Sequence, residues 1–578
     1  MAVLFAKGYI LMYYSLQKEL CVFMDRTEVI FDKRIEKGKL GLKRLKEAAE
    51  TGYEVNEKLL FKLLAENKNT EYGKKYDFEK INTVEEYKRK VPITEYSDYE
   101  KYIEKIEGGK KDVLSSRETI HFALSSGSSG NPKRVPMCQE AADLFALYTH
   151  GTCYAEADEY FGKEWKKGRG VSLTEVRFKT RENGFTYGAV SGKVREKNKE
   201  YETDVYTSPL WVSYPKEDMN FVYLHLRFAL AERNLSNITC TFMTAAYDAM
   251  RYFEDNWEML AKDIAEGTID KSIKIPDEIR KNLSEYIKPD KERADEIISE
   301  CKKGFEGIMP RVWKNLKFIF GIGSESFRIY TERMRHFLGN VKIHYSVFSA
   351  SEGIFGCPIE MESDEMVLIP FSAFYEFRDA ENTNADTITM DKVEVGKKYE
   401  IIVTNLSGFY RYRMMDVVEV CGFYGKIPKV RFLYRLNQVL NIAGEKTNDS
   451  TMKDVMGEFE RKTSLKAKEY TVYADRNTSP GRYVVFAEFE KNILNEAEKM
   501  SIKIEEILCS LNSSYAEKIR LKKLNHLLLV PLKKGTYNEY VDLMKKKGVS
   551  VNQLKPVRVA DSALKQEFFI EHMAENII

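Results

Sequence analysis

The chain has almost no net charge, no paired cysteines and no long uninterrupted apolar run. In 578 residues, 91 Lys and Arg face 89 Asp and Glu, a formal charge of +2. A protein that grips nucleic acid broadly needs a basic excess, so that partner class is excluded and only a local basic pocket stays open. The eight cysteines (Cys21, Cys138, Cys153, Cys240, Cys301, Cys357, Cys421, Cys509) are scattered, without a Cys-x-x-Cys pair or a Cys/His cluster. This spacing argues against a structural zinc and fits reduced, mostly buried thiols in the cytoplasm. Met1 to Met24 is fairly apolar, but Lys7 and then Gln17, Lys18 and Glu19 interrupt it, leaving too little to span a bilayer. No small-residue cleavage site of the secretory kind is present. The expectation is a helix docked on the body, with a peripheral membrane helix as the alternative, and no stable membrane insertion. There is no internal repeat and no low-complexity tract.

What is present begins with length: 578 residues, 43% of them apolar, exceed one hydrophobic core. Strand-like runs alternate with helical ones, at Thr119 to Leu124, Ile238 to Met243, Phe318 to Phe320 and Val341 to Tyr345. Thr203 to Tyr214 also reads as extended. Val367 to Ile369, Tyr399 to Thr404 and Val417 to Cys421 follow. This predicts an α/β fold with a large N-terminal domain of mixed and largely parallel sheets, ligands sitting beyond the strands' carboxyl ends. Past about Leu436 the pattern becomes a small α+β unit, giving boundaries of 1–435 and 436–578.

The most informative stretch is Ser125-Ser126-Gly127-Ser128-Ser129-Gly130-Asn131-Pro132-Lys133. Glycines permit a tight turn, successive backbone N–H groups make an anion nest, and the lysine adds a mobile point charge. The chemistry suits a polyphosphate, although Pro132 stands where a Walker A loop needs glycine. An ordinary strand-to-helix surface loop is the competing reading.

Four further segments carry candidate chemistry. Phe348-Ser349-Ala350-Ser351-Glu352-Gly353 sets a carboxylate in a loop of small residues, either a ligand for Mg²⁺ or a solvated acid. Gly408 to Val418 places Asp416 just before an apolar strand, where it accepts two ribose hydroxyls or pairs with Arg411 or Arg413. Arg435 to Gln438 and Asn441 to Thr447 form a polar joint, a hinge or an inert linker. Asn552 to Arg558 holds Lys555 beside Pro556, a restrained lysine able to neutralise a phosphoryl group, or one simply solvated.

In this order and spacing, the segments resemble the acyl-adenylate-forming superfamily. More closely, they resemble the auxin-responsive acyl-acid amido synthetases, the Gretchen Hagen family of plants and their bacterial relatives, and the chain is similar to a bacterial-type member. The resemblance runs from about Arg26 to Arg558 and includes Trp257 to Gly267, Leu368 to Phe377 and Cys421 to Tyr424. Three departures stand out: Ser128 where Thr is usual, Phe348 where Tyr is usual, and Met414-Met415 where plant members have Val-Gly.

The resemblance implies ATP held by Ser125, Ser126, Gly127, Ser128, Ser129 and Lys133, with Gly323 and Ser324 near adenine. Phe348, Ser351 and Arg435 complete the nucleotide site, Asp416 holds the ribose and Glu352 the Mg²⁺. Lys555, with Lys446 as a second candidate, would act on the transferring phosphorus, and the small domain would rotate about Tyr434 to Gln438. It implies a cytoplasmic monomer joining a carboxylic acid to an amino acid. A thioester ligase using coenzyme A or a carrier, and a silent nucleotide-binding relative, are the alternatives. No general base stands out; His121, His225 and His344 read as structural. Ala141 to Tyr214 is expected to line the acid's pocket, where Phe145, Tyr206 and Trp211 suit an aromatic acid or are simply core.

Overall fold

The computed structural model describes residues 26–125, 133–196, 199–217, 219–323, 328–380, 382, 385–436, 440–447, 449–546, 557–560 and 563–574. The apolar segment before Asp25 therefore lies outside the described residues. The chain divides into two compact units at Leu433 and Tyr434, with residues 125 and 133 grouped with the second. Among the described residues, no helix is long and apolar enough to cross a membrane.

The larger unit opens with helices. Arg26–Thr51 buries Phe31, Ile35 and Leu45 at helical spacing, and Tyr53–Asn67 follows. Three sheets come next. The first pairs Lys133–Cys138, Thr119–Ser125, Thr186–Gly188 and Phe178–Thr180, in that spatial order. Its outer strand Lys133–Cys138, unforeseen in the sequence, contains Pro136, which only an edge position tolerates because proline cannot donate to the ladder.

The second sheet is all parallel: Arg169–Leu173, Leu235–Phe242, Phe318–Ile322 and Lys342–Tyr345. Strands such as Phe318–Ile322 are almost wholly buried, as both-face coverage by helices requires. The third is an eight-stranded antiparallel sheet formed by Phe348–Ala350 through Ile427–Arg435, which with the parallel sheet makes up the expected mixed α/β architecture. Its central strand Lys398–Asn405 is buried except at Lys398.

Thr203 to Tyr214 is not extended either. Glu202–Val205 and Leu210–Ser213 are single helical turns on either side of Pro209, and only Tyr206 keeps a strand contact, a bridge to Gly170. The second unit carries a three-stranded sheet, Ala467–Asp475, Arg482–Phe489 and Leu528–Pro531, with helices Asp449–Thr463 and Ala497–Leu511. Val559 bridges to Val472 on the edge of that sheet.

Candidate functional site

The parallel strand Phe318–Ile322 ends in Gly323, and its neighbour Lys342–Tyr345 ends beside it, with the Ser346 N–H donating to Gly321 O at 2.9 Å. Gly323 is buried and has no room for a side chain: a Cβ would lie 2.6 Å from Thr331 Oγ1 and 3.1 Å from the Tyr345 ring. Thr331 Oγ1 in turn donates to Gly323 O at 3.2 Å. This turn lies at the strands' carboxyl ends, where α/β sheets bind ligands. Ser324 lies outside the described residues.

Glu352 occupies a two-residue turn, because Ala350 pairs directly with Gly353. The side chain is 9% exposed, which overturns the solvated-acid reading. Its Oε1 accepts from the Tyr412 hydroxyl at 3.1 Å, and its backbone carbonyl accepts from Asn405 Nδ2 at 2.7 Å. Asn405 Oδ1 takes the N–H groups of Ser407 and Phe409, so one amide ties the Glu352 turn to the loop opening the next strand. Glu352 Oε2 takes no hydrogen bond from the described residues. Asn405 and Tyr412 are site residues that the sequence reading missed; they lie 53 and 60 positions from Glu352, beyond the reach of any local pattern.

Phe348 is 7% exposed and packs on Phe355 and Phe432, ring centroids 5.6 and 6.0 Å away. Its ring belongs to the core. The aromatic beside the Gly323 turn is Tyr345, which the sequence reading did not single out. Ser351 is half-buried in the Glu352 turn.

Asp416 lies inside a strand, Tyr412–Tyr424, and not ahead of one, and is 1% exposed. Arg413 pairs with Ile402 and Val417 with Glu400, so four steps on this strand face two on its partner. The resulting bulge broke the alternation that would have revealed the strand. Met415 within it has φ +66°, the left-handed region that a side chain rarely enters.

Neither neighbouring arginine pairs with Asp416. Arg411 uses all five N–H groups elsewhere: on Glu376, on Thr387 Oγ1 and on the carbonyls of Lys88 and Val91. Arg413 bonds Glu400 at 2.6 Å and Glu95 at 3.1 Å. The ion-pair reading of Asp416 is thus corrected, because better-placed carboxylates compete for both guanidiniums.

The remaining expected residues are dispersed. Ser125 ends one strand and Lys133 begins another, while Ser126, Gly127, Ser128 and Ser129 between them lie outside the described residues, as does Lys555. Arg435 ends the strand Ile427–Arg435; of its side chain nothing is described. Lys446 is half-buried, with φ +49°, in a loop built on its neighbour. Glu445, fully buried, accepts from Ile442 N at 2.6 Å, Ala443 N at 2.7 Å and the Tyr483 hydroxyl at 2.7 Å. The joint Asn441 to Thr447 is a structured cap, not a bare linker.

Phe145 is buried in the core, and Tyr206 and Trp211 line a cavity at the amino end of the parallel sheet, away from the Gly323 turn. The three histidines are buried. His121 bonds Thr186 and the Gly188 carbonyl, and burial pushes its pKa down to about 4. His225 bonds Ser208 at 2.6 Å and is pushed down to about 3. His344 contacts Glu156 at 2.8 Å, and burial raises the Glu156 carboxyl. His150, overlooked in the sequence, sits in a π-helical turn against Tyr154 and Phe320, its pKa pushed down to about 3 by burial. Among the described residues, no three His, Cys, Asp or Glu side chains gather to hold a metal.

Comparison with known proteins adds what geometry cannot. The chain matches the GH3 family N-terminal domain over residues 41–343, its central domain over 366–435 and its C-terminal domain over 450–563. It is 28% identical over 540 residues to a jasmonoyl–L-amino acid synthetase of Oryza sativa, covering 87% of this chain and 91% of that protein. It is 28% identical over 546 residues to an indole-3-acetic acid-amido synthetase of Arabidopsis thaliana, covering 89% and 91%. The solved structure of the GH3.15 acyl acid amido synthetase shares the fold, with a TM-score of 0.62 at 23% identity over 92% of this chain and 95% of that one.

Proposed function

This chain belongs to the GH3 family, and we propose that it is an ATP-dependent ligase joining a carboxylic acid to an amino acid. The reading is carried by the three family segments, found in order from residue 41 to 563. It is supported by the tied Glu352 turn and buried Asp416 on one antiparallel sheet.

The substrate carboxylate oxygen attacks the α-phosphorus of ATP, the bond to the β-phosphate bridge breaks, and pyrophosphate leaves. The amine nitrogen then attacks the acyl carbon, the bond to the AMP oxygen breaks, and the amine proton passes to solvent. Both steps depend on positioning and charge neutralisation without a protein nucleophile. Ser125 to Ser129 and Lys133 hold the phosphates, Gly323 and Ser324 face adenine, and Asp416 holds the ribose. Phe348, Ser351 and Arg435 are the remaining residues assigned to the nucleotide.

Mg²⁺ supplies charge neutralisation on the phosphates. A single protein carboxylate would suit it, since magnesium dehydrates reluctantly and needs few protein ligands. Glu352, with one oxygen committed to Tyr412 and the other bonded by none of the described residues, would hold it. Lys555 neutralises the five-coordinate phosphorus, with Lys446 as the second cation. Residues 1–435 bind nucleotide and acid, 436–578 form the moving part, and the protein acts as a cytoplasmic monomer of the bacterial type.

The test is ATP–pyrophosphate exchange over a panel of carboxylic acids, followed by amino acids and thiols as acceptors with AMP release as the readout. Acid-dependent exchange and AMP release with an amino acid are expected. Exchange completed only by a thiol would overturn the amide assignment, and nucleotide binding with no exchange for any acid would overturn catalysis.

A further inference from the structure

His344 pairs with Phe320 in the parallel sheet and lies one residue before Tyr345, the aromatic at the Gly323 turn. Its side chain is buried, as is that of Glu156 on the helix Thr152–Phe161, with residue exposures of 0% and 7%. Both imidazole nitrogens have a partner. Nε2 lies 2.8 Å from Glu156 Oε2, and Nδ1 lies 3.0 Å from the Tyr345 carbonyl oxygen.

The carbonyl can only accept, so Nδ1 carries a hydrogen. A neutral imidazole then has a bare lone pair at Nε2. Against an ionised carboxylate, that contact would set lone pair on lone pair in a buried site. The 2.8 Å contact therefore needs a second hydrogen, borne by Nε2 or by Glu156. In either form the pair holds one proton more than a neutral imidazole and a carboxylate, and the proton belongs to the pair.

The surroundings favour keeping it. Burial pushes the Glu156 carboxyl up, and Glu159 on the same helix and Glu360, beyond the strand Gly353–Cys357, add negative charge in the same direction. The thiols of Cys153 and Cys357 face Glu156 and are held neutral by burial. Phe320 packs edge-on to His344 at 5.6 Å, and His150, on the other side of Phe320, is neutral because burial pushes its pKa down to about 3. Among the described residues, no lysine or arginine lies within ion-pairing distance of Glu156, and its Oε1 takes no hydrogen bond. A bare carboxylate would thus be stabilised by His344 alone.

We propose that Glu156 and His344 share one proton at neutral pH and act as a positioning pair, the protonated dyad holding the Tyr345 carbonyl and with it the Gly323 turn. The proton count stands on the geometry of the dyad. The positioning of nucleotide rests on the ligase reading, which puts adenine at that turn.

The unfolded chain sheds this proton above pH 6.5, where free histidine is neutral and glutamate ionised, whereas the folded dyad keeps it. The stabilisation is therefore complete below pH 6.5 and is lost as pH rises. Urea unfolding of the full chain at pH 7 and pH 8, following the larger unit, tests the count. Over that unit the folding constant of the parent is expected to fall nearly ~10-fold more than that of Glu156→Gln, whose amide donates to Nε2 and leaves the imidazole neutral. His344→Gln is expected to remove the same dependence and is the second variant. Calorimetric titration with ATP tests the positioning. Glu156→Leu, which leaves the imidazole unanchored, is expected to weaken ATP about fivefold or more, and Glu156→Gln to stay within about twofold of the parent. Parallel pH slopes in the parent and the folded variants would overturn the shared proton. Parent-like ATP affinity in Glu156→Leu would overturn the positioning role. A parent that binds no ATP would overturn the nucleotide reading and the positioning role together, and the pH slopes would then decide the proton count alone.

Discussion

Replacing Glu376 with alanine is expected to destabilise the larger unit by about 3–5 kcal/mol, the cost of leaving a buried charge without its partner. Glu376 is 1% exposed and Arg411 6%. Three contacts join the two side chains, at 2.9, 3.0 and 3.2 Å, and Thr387 Oγ1 donates to the same carboxylate at 2.6 Å. After the substitution Arg411 keeps only the carbonyls of Lys88 and Val91 and Thr387 Oγ1, all neutral. With an unfolding entropy of ~2.1 cal/mol/K per residue over roughly 400 residues, ~4 kcal/mol lowers Tm by about 5 °C. The assay is urea and calorimetric unfolding of the full chain, following the transition of the larger unit. Glu376→Met combined with Arg411→Met removes both charges and is expected to lie within about 1–2 kcal/mol of the parent. A Glu376→Ala cost below about 1 kcal/mol, or a double variant as unstable as the sum of the singles, would refute the reasoning.

Other outcomes follow from the same geometry. At φ +66°, Met415→Gly should be more stable than Met415→Ala by about 1 kcal/mol, reversing the usual strand order; denaturant midpoints that favour alanine would contradict the bulge. Asp416→Ala should weaken ATP binding by about 10-fold or more through two lost charge-assisted hydrogen bonds, whereas Lys555→Ala should slow exchange and leave ATP affinity nearly unchanged. Calorimetric titration and exchange rates on both variants separate these effects, and equal losses in both assays would merge the two roles. His121, His150 and His225 have folded pKa values near 4, 3 and 3, below the ordinary 6.5, so the unfolded chain binds more protons. Their contribution is complete above pH 6.5 and is lost as pH falls towards 4 and then 3, at up to about 4 kcal/mol per pH unit for three protons. A stability flat between pH 7 and 5 would count against neutral burial of these rings.

Local chemistry was legible in the sequence, and long-range pairing was not. Thr119 to Leu124, Ile238 to Phe242 and Phe318 to Phe320 lie in strands, because compact β-branched or aromatic runs favour pleated, buried backbone, while Met243, expected to end the second run, begins the next helix. The candidate carboxylates Glu352 and Asp416 were found by type and spacing, but their surroundings were not. Arg411 sits two residues from Arg413, yet the two guanidiniums go to different carboxylates, 35 and 13 positions away. No local pattern encodes that choice; sheet pairing decides it. Lys133–Cys138 was hidden by Pro136, and the start of Tyr412–Tyr424 by the bulge at Met415. Thr203 to Tyr214 carries strand-like side chains, but the bonds from Tyr206 N to Glu202 O and from Tyr214 N to Leu210 O close single helical turns on either side of Pro209.

The two-residue turn at Ser351-Glu352 works as an arm of fixed length. Ala350 and Gly353 close it at the base, and Asn405 holds its carbonyl, so the backbone has no slack with which to reposition the carboxylate. Variation here is therefore quantised. Aspartate retracts the charge by one carbon–carbon bond, roughly 1.5 Å, while glutamine keeps the reach and loses the charge. One inserted residue would shift the strand after Gly353 by half a pleat and turn Ile354 and Cys357 to opposite faces of the sheet from those they now occupy. The length of this hairpin is accordingly as strong a signature of the site as the letters within it.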